Sequence, residues 1–156
     1  MNLRYTLMVA FVAGGVVMVA TVHAAETKIK RSELPPAVEK TVAEHSKGAT
    51  ITGLSTETED GKKIYEAAFT IDGHARDISI DKQGTLIEVE DEVALGSLPP
   101  AVKEGLTKAA GTGTIGKVES LTKKGKLVAY EAVVQRGQKR TEIQVGPDGQ
   151  KLAHPE

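Results

Sequence analysis

The sequence predicts an α+β protein of two tandem units, each one α-helix packed on a four-stranded antiparallel β-sheet, after a cleaved N-terminal signal peptide. Three observations lead there: an apolar leader, an internal repeat offset by 64 residues, and alternating apolar and polar residues between glycine turns. The expected division is a signal peptide over residues 1–24, a short segment over 25–31, a first unit over 32–94, and a second unit with a short tail over 95–156.

The leader carries one basic side chain, Arg4, then an apolar run from Leu7 to Ala20, then the compact boundary Val22, His23, Ala24. That is the layout of a secretory signal peptide cut after Ala24. The run of 14 apolar residues is shorter than the roughly 20 that cross a bilayer as a helix. No membrane insertion is expected once the leader is removed. The chain has no cysteine, so no disulfide can form and stability must come from packing.

Twenty Lys plus Arg stand against 21 Asp plus Glu, a balance that gives no reason to expect nucleic-acid binding. The distribution is less even. Residues 32–95 hold 6 basic and 14 acidic side chains, whereas residues 96–156 hold 10 basic and 6 acidic. Two solvated faces that drifted apart are the expected account, since surface charge is exchanged at little cost in stability; a dipole that holds the halves together or steers a charged partner is the alternative.

The repeat organises the chain. Leu34, Pro35, Pro36, Ala37, Val38 recurs unchanged as Leu98, Pro99, Pro100, Ala101, Val102. Ile51 recurs as Ile115, and Gly61, Lys62 as Gly125, Lys126. After a one-residue insertion, Tyr65, Glu66, Ala67 recurs as Tyr130, Glu131, Ala132, Asp77, Ile78 as Glu142, Ile143, and Gly84 as Gly149.

Each copy opens with a proline pair, which presets the backbone for a first helical turn where a missing amide donor costs nothing. Val38, Val42 and His45, and in the second copy Val102, Leu106 and Ala109, recur at the spacing of one helix face. Gly48 and Gly111 then end the helices. Four strands follow in each copy. Turns are expected at Asp60-Gly61, Asp72-Gly73 and Gln83-Gly84, then at Lys124-Gly125, Arg136-Gly137 and Asp148-Gly149.

Along the second strand Tyr65, Ala67, Phe69 and Ile71 should lie under the helix, with Ile64, Glu66, Ala68 and Thr70 on the opposite face. Ile78 and Ile80 continue the inner face on the third strand, and Ile87 and Val89 on the fourth. A unit of about 60 residues is marginal alone, so the two copies should pack together or share a sheet. Residues 90–97 read as an acidic junction between them.

The Leu-Pro-x-Ala-Val helix, the Gly-Lys hairpin into Tyr-Glu-Ala, and the Gly turns with Asp-x-x-Gly at Asp81 to Gly84 resemble the PepSY-like family, which is grouped with the tandem β-lactamase-inhibitory protein. The resemblance covers Leu34 to Val89 well and Leu98 to Leu152 more loosely. It implies a helix on an antiparallel sheet and an exported bacterial protein that binds or inhibits others, often peptidases or hydrolases. The chain departs from the inhibitor in lacking disulfides. It also keeps only Tyr65, Phe69 and Tyr130 as aromatic residues after the leader, all assigned to the inward face. Tight interfaces lean on Trp, Tyr and Arg anchors, so high-affinity inhibition of a β-lactamase is not expected.

No catalytic set converges. Gly111, Thr112, Gly113, Thr114, Ile115, Gly116 matches G-x-G-x-x-G, but a helix precedes it and a strand follows, the reverse of a phosphate-binding loop. His45, His74 and His154 fall on a helix, a turn and the tail, without metal-ligand spacing. No serine sits in a Gly-x-Ser-x-Gly turn.

The acidic residues Glu66, Asp77, Asp81, Glu88 and Glu90 should all project from the sheet face away from the helix, as should Glu131, Val133, Gln135, Glu142 and Gln144 in the second copy. A solvated face is the default for such a run, and no Asp-x-Asp-x-Asp-Gly loop is present to wrap calcium. The five carboxylates of the first copy are the candidate partner-binding residues. The expected function is therefore non-enzymatic binding of an exported protein, with no cofactor and no dedicated metal site. Binding of a cation or small ligand on the same acidic face is the competing expectation.

Overall fold

The computed structural model describes residues 26–59 and 61–156; the expected signal peptide and Asp60 lie outside the described residues. The elements in chain order are β1 (Thr27–Lys28), α1 (Pro36–His45), β2 (Thr50–Glu59), β3 (Lys62–Ile71), β4 (His74–Asp81), β5 (Leu86–Glu92), α2 (Pro100–Ala110), β6 (Thr114–Lys123), β7 (Lys126–Arg136) and β8 (Lys139–Val145). Single 3-10 turns at Arg31–Glu33 and Leu95–Ser97 lead into the helices.

The architecture corrects the expected pair of four-stranded sheets. All eight strands form one antiparallel sheet in sequential order, β1 to β8, with both helices joined to it. The joint is the pairing of β5 with β6, from Glu88↔Lys123 to Glu92↔Glu119. Two separate sheets would each leave an unpaired edge at this point, with backbone amides and carbonyls lacking partners. The continuous ladder removes both edges. Residues 90–92, expected in a junction, are the end of β5, and Val93 and Leu95 pack against the second core cluster.

The second copy also lacks its expected fourth strand. Beyond β8 there is one bridge, Val145↔Lys151. His154 and Pro155 stand where the first copy has Val89 and Glu90. A polar ring and a residue without an amide donor cannot continue a half-buried ladder. At the other edge, β1 adds two residues against Thr56 and Ser55 of β2.

Two hydrophobic clusters fill the space under the helices. The first joins Leu34, Val38 and Val42 to Tyr65, Ala67, Phe69, Ile78 and Ile80. The second joins Leu98, Val102 and Leu106 to Val118, Ala132 and Val145. Alternation thus identifies the inner face, with three corrections: Ala110, not Ala109, is buried, His45 is only half-buried, and on β5 Leu86, not the expected Ile87, joins Val89 against the first cluster, because the register shift between Ser79 and Ile80 sets Leu86 opposite Ile80. Arg136 of β7 donates to the carbonyls of Ala109 and Ala110 at 3.2 and 2.9 Å, a cation at the negative end of α2.

Repeated glycines hold each helix close to a turn of the sheet. A Cβ on Gly84 would lie 2.5 Å from the Ala37 carbonyl oxygen, and one on Gly149 would lie 2.0 Å from that of Ala101. Both have positive φ, +84° and +77°. Thr41 adds a hydrogen bond from Oγ1 to the Gly84 carbonyl at 2.6 Å. We expect Gly149→Ala to destabilise the fold by about 2–4 kcal/mol, since it combines a left-handed backbone with a clash against fixed backbone atoms. Gly125→Ala, at φ +75° with open space around its Cβ, should cost only about 1–2 kcal/mol. Urea denaturation of the two variants measures the difference.

Candidate functional site

The sheet face opposite the helices is not a uniformly solvated surface. Ile64, Leu121 and Ala129 fall on it by alternation and register, yet are 5%, 2% and 0% exposed. The same face holds a depression of about 390 Å³ lined by Glu66, Asp77, Glu88 and Glu90, with Ser55 and Lys28 at its side.

Register explains the gathering. Asp77 of β4 stands directly opposite Glu90 of β5, and Ser79 opposite Glu88. Glu66 of β3 lies opposite both Ser55 and Ser79, and Ser55 Oγ donates to its carboxylate at 2.8 Å. Across the joint, Leu121 faces Glu90 and Glu119 faces Glu92, which places Glu119 diagonally from Glu90. The register shift between Ile115 and Val118 puts two residues of β6 against one of β7, and such a bulge re-aims nearby side chains. Carboxylate oxygens of Asp77, Glu90 and Glu119 all lie within 4.8 Å of one another.

The electrostatics follow from that crowding. Burial, a hydrogen bond to Glu88, and the charges of Glu88, Glu119 and Glu131 push the Glu90 carboxyl up to about 9. Burial raises Asp77, with Lys117 acting in the opposite sense and Glu66 reinforcing the rise. Burial likewise raises Glu131, opposed by the hydrogen bond from Gln144. Two lysines supply countercharge. Lys123 Nζ is 3.1 Å from Glu88 Oε2, and Lys117 Nζ is 2.7 Å from Glu119 Oε1. For Lys117, burial favours the neutral amine, but Glu119, Asp77 and Glu90 together outweigh it and hold the ammonium above its ordinary value.

Four of the five sequence-derived candidates, Glu66, Asp77, Glu88 and Glu90, therefore meet. Asp81 does not join them. Its carboxylate accepts the backbone amides of Gln83 and Thr85 at 2.9 and 2.8 Å, which holds its pKa low, the Thr85 amide contributing most. An Asp that closes its own turn has spent its oxygens locally. Glu131 is half-buried on the same face and hydrogen-bonded to Gln144.

Sequence reasoning missed Glu119 and Lys117. Neither repeats an acidic or basic position of the first copy, and only the β5–β6 register brings them to the cluster. The alternation Lys117, Val118, Glu119, Ser120, Leu121 was the available signal. α2 ends at Ala110, just before the Gly111 to Gly116 segment, and β6 begins within it at Thr114, the reverse of a phosphate cradle.

No family model matches the chain, and no curated protein matches it. Solved structures do. A DUF2874 family protein from Bacteroides ovatus is 19% identical with a TM-score of 0.59, the match covering 76% of this chain and 84% of that one. A BLIP-like protein from Bacteroides fragilis is 19% identical with a TM-score of 0.55, covering 74% and 81%. A Bacteroides eggerthii protein provisionally assigned to the periplasm is 16% identical with a TM-score of 0.62, covering 76% and 85%. The chain has a BLIP-like fold.

The raised Glu90 carboxyl makes stability depend on pH. An unfolded Glu titrates near 4.3, so between about 4.3 and 9 the folded chain binds the extra proton and stability falls as pH rises. Below that window both states are protonated and the contribution vanishes. We expect Glu90→Gln to match the native chain near pH 4 and to exceed its stability at pH 8 by on the order of 1–2 kcal/mol, discounted for residual solvent contact. Urea denaturation at both pH values reads this out.

Proposed function

We propose that this chain is an exported, non-enzymatic, PepSY-like binding protein of the periplasm or secreted fraction that engages a basic segment of another envelope or secreted protein through its acidic sheet face. The carrying observation is the convergence of Glu66, Asp77, Glu88 and Glu90 on one depression. Clustered carboxylates in a low-dielectric recess attract cationic groups more strongly than the same charges spread over a surface.

The N-terminal leader supports export, and so does the provisional periplasmic assignment of the Bacteroides eggerthii protein of similar fold. The likeness to a BLIP-like protein supports binding as the mode of action. Among the described residues the aromatic side chains point inward, with Tyr65 and Phe69 in the first core cluster and Tyr130 packed against the second. Recognition therefore rests on charge more than on aromatic anchors, and the interaction should be salt-sensitive.

Affinity capture from the native envelope in the presence of EDTA tests this reading. We expect the native protein at low salt to retain a partner with a Lys- or Arg-rich segment. Glu66→Gln combined with Glu88→Gln should reduce capture about tenfold, and 0.5 M salt should do the same. Equal capture by the native protein and the double variant would count against the acidic face as the contact surface.

A further inference from the structure

We propose that the outer edge of β8 takes up an extended acidic segment of a partner protein as a further antiparallel strand. This contact is separate from the acidic face and does not rest on that reading.

β8 ends the sheet. It runs for seven residues, Lys139–Val145, and pairs with β7 without a register shift. Among the described residues its other side meets only the bridge from Val145 to Lys151. The tail then leaves the edge for the outer face, where the Glu156 amide donates to Gln144 Oε1 at 2.8 Å and the Glu156 carboxylate lies 4.0 Å from Lys123 Nζ on β6. Edges are commonly blunted by short or bulged strands, and the two-residue β1 fits that pattern at the other end. β8 is long and regular.

The first copy shows what the second lacks. Ala75, Asp77 and Ser79 of β4 correspond in the repeat to Arg140, Glu142 and Gln144. Asp77 and Ser79 stand opposite Glu90 and Glu88 of β5, and the Ala75 amide, aimed the same way, donates to Glu92 Oε2 at 2.8 Å. On β8 the pair Arg136↔Lys139 closes a two-residue turn, so the backbone groups of Arg140, Glu142 and Gln144 point outward, away from β7. Packing differs in the same sense. Ile78, covered by Val89 on β5, is 1% exposed, whereas its counterpart Ile143 is half-buried against the second cluster. A strand with an apolar residue opposite Ile143 would complete that cluster.

Charge selects the occupant. β5 is acidic at Glu88, Glu90, Asp91 and Glu92, and Asp91 pairs with Arg76 of β4. β8 carries exposed Lys139 and Arg140 at one end of its open edge, exposed Lys151 stands at the other, and Glu142 is the one acidic side chain of the strand. Backbone pairing supplies affinity in strand addition and side chains supply specificity. An acidic strand gains cross-strand ion pairs here that a basic one would lose.

Fluorescence anisotropy with a labelled synthetic peptide tests the proposal. The probe is the β5 sequence, residues 85–93, carrying Glu90→Gln so that no carboxylate faces Glu142. We expect saturable binding below about 1 mM and slowed hydrogen exchange at the Arg140 and Glu142 amides. N-methylation of the peptide at positions 88 and 90, which removes donors that face β8, should weaken binding at least about tenfold. Glu88→Lys, Asp91→Lys and Glu92→Lys together in the peptide should weaken it about as much. In the protein, Arg140→Glu should weaken binding about threefold or more, and Glu142→Pro, which deletes an outward donor, at least about tenfold. Should Glu142→Pro fail to fold by circular dichroism, the N-methylated peptide carries that comparison. Glu66→Gln combined with Glu88→Gln should bind the peptide as the native protein does, so this proposal and the acidic-face reading can fail separately. No saturable binding, equal binding of the N-methylated peptide, or protection at β4 in place of β8 would overturn the proposal. So would a dimer in sedimentation that Glu142→Pro disperses, since a second copy would then hold the edge.

Discussion

The acidic site depends on the antiparallel pairing of β5 with β6. Without that ladder, Asp77 and Glu90 belong to one group of strands, and Glu119, Lys117 and Lys123 to another. With it, Glu88 meets Lys123 in register, Glu90 meets Leu121, and Glu119 reaches the cluster from the neighbouring strand. The same hydrogen bonds make one sheet of what the repeated letters suggest as two. Backbone satisfaction and placement of the site are thus the same event.

Gathering carboxyl groups on a half-buried face opposes folding. Each charge loses water, and like charges a few ångströms apart repel strongly where the dielectric is low. The chain offsets this in three physical ways. Lysines supply ion pairs to Glu88 and Glu119. Polar neighbours supply hydrogen bonds, from Ser55 to Glu66 and from Gln144 to Glu131. Burial, with the neighbouring Glu88 charge, favours the protonated form of Glu90, which removes one charge. The packed side of the sheet carries the compensating stability: Phe69, Ile78, Ile80 and Leu106 are fully buried, each contributing roughly 1.5–3 kcal/mol of transfer free energy. Such an arrangement is expected where function and stability pull apart.

Much of this was readable from sequence where the determinant is local. Proline pairs marked both helix starts, glycine turns bounded the strands, and period-two alternation separated Tyr65, Ala67 and Phe69 from Glu66 and Ala68. Failures came where the determinant is a pairing partner distant in sequence. The joined sheet was not fixed by the repeat, because identical letters permit two sheets or one; the free edge of β5 decides. Asp81 obeyed the alternation, but a turn captured its oxygens, which competition between side chain and backbone explains. The missing last strand was visible in principle, since His154 and Pro155 replace Val89 and Glu90, but a repeat invites the reader to complete it.

The two faces of the sheet carry different kinds of information. On the helix side, equivalent positions of the two copies remain equivalent in space: Ala67 pairs with Ile78 as Ala132 pairs with Ile143, and Gly84 meets Ala37 as Gly149 meets Ala101. Packing permits little else there, because a clash of a single methyl group is felt. On the opposite face the copies part. Where the first half sets Asp77 and Glu90 side by side, the corresponding pair in the second half does not form, for want of a strand beyond β8. An interaction surface built from side chains therefore belongs on the unhelical face of this fold and nearer the middle of the sheet than its ends. There β4, β5 and β6 are each flanked by paired strands, and their side chains are held in register from both sides.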